Sequence, residues 1–244
     1  AVDALARRDY EAAGDAYTRA GRRVLADPRE GTDPFAPDEH GWVGHGLQHL
    51  VAAAMAYRVA GVETRATRRA TEGEAAARDL EHALAAPAQH ACLAEFAADF
   101  RAVADRDDAA AAYESAADAY RSAADAVDDP KTLITTPLFQ AAAAPIRQAA
   151  RGQADGEVAV EWSDLHGSDP SRPGPFLARR TRYKRQRFGS LVAACARDGY
   201  LAAPRGTTEY DNANHRCPAC ESTDVNWIGG AVLCLRCSAP MERR

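Results

Sequence analysis

Residues Cys217 to Cys237 read CPACESTDVNWIGGAVLCLRC, two C-x2-C pairs separated by thirteen residues. Any fold of this chain has to satisfy those four thiols together. Two thiolate pairs on tight turns supply the four soft ligands of a tetrahedral zinc site. Between the pairs, residues 225–228 and 231–234 are strand-like, with Gly229-Gly230 at the hairpin position. The second pair is therefore expected at the end of a returning strand. Because all four ligands are Cys, no coordination position stays open. Cys217, Cys220, Cys234 and Cys237 are expected to hold a structural Zn2+, and metal binding supplies much of the stability of so small a unit. His215 is a candidate neighbour or substitute ligand.

This pattern resembles a zinc ribbon, in the CPxC form found in transcription and ribosomal proteins, over about 25 residues. The other two cysteines, Cys92 and Cys195, sit among apolar helical residues and read as buried free thiols. No stretch reaches the ~20 apolar residues of a membrane span, since the best run, Leu50 to Val59, is cut by Arg58. The start of the chain lacks the basic-then-apolar layout of a secretory signal. A cytoplasmic protein with no membrane partner is expected, where paired cysteines favour metal over disulfide.

Upstream, the chain repeats itself. Tyr10 to Val24 reads YEAAGDAYTRAGRRV and Tyr113 to Val127 reads YESAADAYRSAADAV, 103 positions apart. Tyr, Ala, Tyr, Ala and Val recur at steps of three and four in both copies, one face of an α-helix. Leu47, Leu50, Val51, Ala54 and Met55 form a second stripe that Gly61 closes. A polar helix spans about 63–84 and ends before Pro87. Another carries Cys92, Leu93, Phe96, Phe100 and Val103. Asp107 or Asp108 is a candidate cap for the second copy, and Thr136-Pro137 reads as a cap followed by Pro at the first helical position. The helix that follows is expected to kink at Pro145.

The Ala-x3-Tyr spacing with a further Ala three residues on resembles the second helix of a tetratricopeptide repeat, and the related layers of soluble NSF-attachment proteins. Three units of about 34 residues come near the observed offset. The Trp, Leu-Gly, Tyr pattern of a first repeat helix is missing, and the middle pair lacks the tyrosines. The expectation is a mainly α protein: an antiparallel helical-repeat array over 1–151, with a plain bundle as the alternative, joined to a small C-terminal α+β region. That region divides into a strand and Pro/Gly-rich linker (152–178), a basic helix and hairpin (179–211) and the ribbon (212–244). Stacked helix pairs offer a concave surface that suits a protein partner.

Charge divides the chain at the same place. Residues 1–150 carry 16 Lys+Arg and 24 Asp+Glu, whereas residues 151–244 carry 14 and 11. The basic residues concentrate in RRTRYKRQRF, where Arg179, Arg180, Arg182, Lys184, Arg185 and Arg187 surround Tyr183 and precede Phe188. They cannot all share one helix face. Their partner is phosphate, with aromatics to stack on bases, or the acidic front half, or solvent. Residues 157–162 (EVAVEW) read as a strand. Residues 190–197 read as a helix, followed by a hairpin of 199–201 with 207–210, an order that resembles the end of a winged-helix domain.

Nothing marks a catalytic centre. His45 and His49 stand four apart with Glu39 and His40 nearby, a conceivable second metal site, but HGLQH lacks the general-base Glu of H-E-x-x-H. The sequence reads as a non-enzymatic adaptor. Its helical module binds protein, and Arg179, Arg180, Arg182, Tyr183, Lys184, Arg185 and Arg187 with the ribbon contact nucleic acid or a ribonucleoprotein. A purely protein-binding scaffold is the second reading, and an enzyme or enzyme subunit the third.

Overall fold

A computed structural model describes residues 1–26 and 41–244. Glu39 and His40 lie outside the described residues. The fold is mainly helical with a small antiparallel region at its C-terminal end. The helices are α1 (Val2–Ala6), α2 (Tyr10–Ala26), α3 (Gly41–Val59), α4 (Glu63–Glu81), α5 (Pro87–Val103), α6 (Ala109–Ser122), α7 (Pro130–Leu133), α8 (Pro137–Arg151), α9 (Trp162–Leu165) and α10 (Pro173–Asp198).

Proline sets where four of these begin. Pro87, Pro130, Pro137 and Pro173 all stand in the first turn of a helix, where a missing N–H costs nothing. Asp129 caps α7 by accepting from Lys131 N and Thr132 N. Thr136 does not cap α8, because its hydroxyl donates to the Leu133 carbonyl instead (2.6 Å). Nor does Asp108 cap α6 with its side chain. Pro145 lies within α8, which is one uninterrupted helix from 137 to 151. Gly61 and Gly199, both at positive φ, end α3 and α10.

From α2 to α6 each helix packs on its sequence neighbour. Then α10 packs along α6 and α8 packs on α3, with α8 and α10 also touching. The centre is α3. Beyond its expected stripe it also buries Trp42, Val43, Ala52, Ala53, Ala56 and Tyr57. A helix apolar on all sides is one surrounded by others, and α3 meets α2, α4, α5, α8 and α10. Close approach is bought by glycine where α4 crosses α5: a Cβ at Gly73 would lie 2.1 Å from the Phe100 ring. That explains a residue otherwise worth about 1 kcal/mol against a helix interior.

The expectations for 152–211 need correction. Residues 157–162 form no strand. They run from Gly156, whose backbone lies against the Leu235 carbonyl, into α9. The Pro/Gly-rich stretch does not separate a linker from a basic helix either. Its Pro173 starts α10, which runs for 26 residues across the 178/179 boundary. Residues 199–201 pair with no strand. Instead β1 (Thr207–Glu209) adds to β3 (Val225–Ile228), which pairs with β4 (Ala231–Cys234) to give a sheet in the order β1-β3-β4. A second ladder joins β2 (His215–Arg216) to β5 (Glu242–Arg243). Among the described residues no helix is long and apolar enough to cross a membrane.

Candidate metal centre and basic segment

Each C-x2-C pair is built the same way. Glu221 N donates to the Cys217 carbonyl (2.9 Å) and Ser238 N to the Cys234 carbonyl (3.0 Å), closing a turn around each pair. The residue after each second cysteine, Glu221 (φ 63°) or Ser238 (φ 59°), takes the left-handed conformation. Register Val225↔Cys234 carries the second pair alongside the first. All four sulfurs lie within 4.8 Å of one another, with Cys217–Cys237 and Cys220–Cys234 at 3.5 Å. A tetrahedron with ~2.3 Å metal–sulfur bonds has sulfur–sulfur edges of ~3.8 Å, so the cluster could hold one metal ion. The thiols perturb one another strongly. A hydrogen bond with Cys237 holds Cys234 down to about 5, while that same bond and burial raise Cys237, and burial raises Cys220 to about 11. A bound cation would remove this conflict by favouring thiolate at every position.

The unit is fastened to the helices by Arg151, at the end of α8. Among the described residues its buried guanidinium has no carboxylate partner. It donates to the carbonyls of Gly156 (3.1 Å), Ala203 and Leu235 (2.8 Å), three separate stretches of chain. Ser238 adds a second fastening, accepting from Ala203 N (3.0 Å) and from the Tyr200 hydroxyl (3.2 Å). Arg236 bonds both Asp224 (2.8 Å) and Glu157 (2.5 Å).

The basic segment is divided by α10 into an inner and an outer face. Arg180 and Lys184, four residues apart, point inward with Leu177 and Phe188 and are buried. Arg180 holds Glu95 through two nitrogens (2.7 and 2.8 Å), and Lys184 reaches Glu95 (2.8 Å), Asp99 (2.6 Å) and the Ala142 carbonyl (2.6 Å). The tyrosines of the second repeat copy complete the cluster: Tyr113 donates to Asp99 (2.6 Å) and Tyr120 to Glu95 (2.8 Å). Burial pushes the Glu95 carboxyl up, but Arg180 and Lys184 outweigh it and hold the group at about 2. For Asp99 burial outweighs Lys184 and raises the group to about 6.

Arg180 and Lys184 are thus corrected from candidate phosphate contacts to core ion pairs. The acidic front half is their partner, one of the three left open by the sequence. Arg179, Arg182, Arg185 and Arg187 are exposed, Arg185 pairing with Glu114 (2.8 Å), and Tyr183 is half-buried against the core.

Two surface grooves contain arginines beside an exposed tryptophan. Trp162, 51% exposed, lies with Arg172, Arg179 and Arg182 along a groove of about 390 Å3. His166 stacks on Phe176 beneath it (5.8 Å) and is lowered to about 4 by burial, Arg180 and Arg147, hence neutral at pH 7. On the cysteine unit, Trp227 lies with His215, Arg243 and Arg244 along a groove of about 510 Å3. Trp162, Arg172, Trp227, Arg243 and Arg244 were not singled out from sequence. Isolated residues carry no periodic signal, and Trp162 falls at the end of the strand expected over 157–162.

Among the described residues the remaining candidates do not assemble. His49 is half-buried beside Tyr17 (ring centroids 5.9 Å) and lowered by burial and by His45. Among the described residues the four cysteines are the only group of three or more clustered metal-ligating side chains. His215 bonds Asn212 (3.0 Å) and stands outside that cluster. Burial raises Cys92 to about 12 and Cys195 to about 11, which leaves both as unreactive thiols. Comparison of the chain with protein-family models, curated proteins and solved structures gives no match.

Proposed function

We propose that the chain is a non-enzymatic adaptor that contacts single-stranded nucleic acid, or the exposed strands of a ribonucleoprotein, through the outer face of α10 and a zinc-held C-terminal ribbon. The observation that carries this reading is the pair of exposed tryptophans, Trp162 and Trp227, each set among arginines in an open groove. A base stacks on an aromatic face whatever its identity, and a guanidinium neutralises the phosphate beside it. The contact residues are Arg172, Arg179 and Arg182 around Trp162, and Arg243 and Arg244 near Trp227. Four thiolates make zinc the fitting metal, and its role is to stiffen the turns that carry the second groove. The helical module, read as tetratricopeptide-like, is the surface left for a protein partner.

The test is anisotropy of a labelled single-stranded RNA titrated with zinc-loaded protein at several salt concentrations. Binding is expected to weaken steeply with salt. Trp162→Ala should cost about 1–3 kcal/mol, the usual value of one stacked base. Arg179→Ala with Arg182→Ala should lower the salt slope, while Arg197→Ala, paired with Asp198 at the end of α10, should not. No binding at low salt, or binding indifferent to Trp162 and these arginines, would leave the protein scaffold as the reading.

A further inference from the structure

A third cleft, of about 540 Å3, opens between α8, residues 157–162 and the turn at 204–206. Its size is that of a small-molecule site. Arg147 of α8 lines it, half-buried, and among the described residues it makes no hydrogen bond and no ion pair. In this chain that is unusual. Arg58 donates to the Val103 carbonyl, Arg101 to Glu74, Arg151 to three carbonyls, Arg180 to Glu95 and Arg236 to Asp224. Each of those guanidiniums, buried or half-buried, has an acceptor, as the cost of desolvating a cation demands.

The neighbours cannot supply one. Glu157 is taken by Arg236 and Tyr210, and Glu161 is engaged in the capping box of α9. Arg151 and Arg205 line the same cleft, so the surroundings of Arg147 are cationic. Burial, with Arg180 nearby, disfavours its charge further. Val158, 58% exposed, Val160 and Trp162 give the cleft an apolar part of its lining, and the carboxamides of Gln140 and Gln148 are also in it.

We propose that this cleft binds a small organic carboxylate, with Arg147 holding the carboxylate and Val158 and Trp162 covering the apolar body. A carboxylate fits better than a phosphate because one guanidinium fork is free. A planar carboxylate saturates that fork with two parallel bonds, whereas Arg151 already donates through all three of its nitrogens and Arg205 is bonded to Gly156, Thr208 and Tyr210. The proposal does not depend on nucleic-acid binding, although Trp162 borders both grooves.

The experiment is calorimetric titration of the full, zinc-loaded chain with benzoate and with octanoate. Benzamide serves as the neutral match to benzoate, and inorganic phosphate as the competing anion. Saturable carboxylate binding is expected, with benzamide and phosphate at least about tenfold weaker. Arg147→Gln should weaken benzoate by a similar factor, and Arg147→Lys by less. Because Arg147 has no partner to lose among the described residues, neither variant should lower the melting temperature, and neither should alter RNA affinity. Absence of saturable carboxylate binding, equal binding of benzamide, preference for phosphate, or benzoate binding unchanged in Arg147→Gln would each overturn the proposal. A sharp fall in melting temperature would reassign Arg147 to a structural role, and competition between RNA and benzoate would reassign the cleft to the nucleic-acid path.

Discussion

Replacing Lys184 with Met removes the cation that pairs with Asp99. Lys184 Nζ lies 2.6 Å from Asp99 and 2.8 Å from Glu95, and all three side chains are completely buried. Glu95 keeps both its bonds to Arg180. Asp99 keeps only the Tyr113 hydroxyl. The cost therefore falls on Asp99, a buried carboxylate without a counter-charge, and breaking such a pair costs about 3–5 kcal/mol. For a chain of this size 1 kcal/mol moves the melting point by about 2–4 °C, so a fall of roughly 6–20 °C is expected.

The loss should depend on pH, and its sign follows from Asp99. Its folded value, about 6, exceeds the ordinary 3.8 because burial outweighs the pull of Lys184. The native state then binds the proton more tightly than the unfolded state. The stabilisation from protonated Asp99 is fully present below the ordinary value and is lost as pH rises through the folded one. Without Lys184 the folded value climbs further, so the Met variant should suffer little at pH 5 and fully at pH 8. Glu95 does not blur this window. Its contribution is present above 4.5 and is lost only as pH falls through about 2. Urea denaturation of zinc-loaded protein at both pH values, followed by helical circular dichroism, measures the difference. Asp99→Asn in the Lys184→Met background should recover most of the loss at pH 8. A cost below about 1 kcal/mol at pH 8, or the same cost at both pH values, would refute the reasoning that the pair is desolvated and Asp99 left bare.

Arg151→Met should release the cysteine unit from the helices while leaving its metal stoichiometry unchanged. Three carbonyls lose a charged donor, at about 3 kcal/mol or more together, and hydrogen exchange at Leu235 and Ala203 should quicken; unchanged exchange would show that Arg151 is not the fastening. Glu221→Gly should raise the melting temperature by relieving about 1 kcal/mol of left-handed strain at an exposed side chain. Ser238→Gly, at the equivalent position, should give no such gain because its hydroxyl holds Tyr200 and Ala203 N.

Features that depend on near neighbours in the chain were legible in the sequence. The spacing of Cys217, Cys220, Cys234 and Cys237 sufficed to place four sulfurs together, since each pair lies on one tight turn and a short hairpin joins the turns. Pro137 marks the start of α8 by the same local logic, whereas the sequence shows Pro87 only as the end of the helix before it and Pro173 only as part of a Pro/Gly-rich stretch, although both start helices. The two Tyr-Ala helices were readable from period alone, and all four tyrosines are buried. Their differing roles were not readable: Tyr10 accepts from Leu201 N, whereas Tyr113 and Tyr120 donate to the buried carboxylates.

Tertiary structure decided which cations of α10 face solvent. Arg180 and Lys184 look like their neighbours in sequence, yet their partners Glu95 and Asp99 lie 85 positions away, on a helix otherwise full of apolar side chains. The helix period alone contained a hint, in two cations sharing a face with Leu177 and Phe188 and two acids four apart in α5. The edge partner of β1, the exposure of Trp162 and the isolation of Arg147 carried no such hint. A thiol pair or a helix start is determined by residues a few positions apart. Whether a charge is buried and paired depends on what the rest of the chain brings to it, and that is settled only when distant helices close and water leaves.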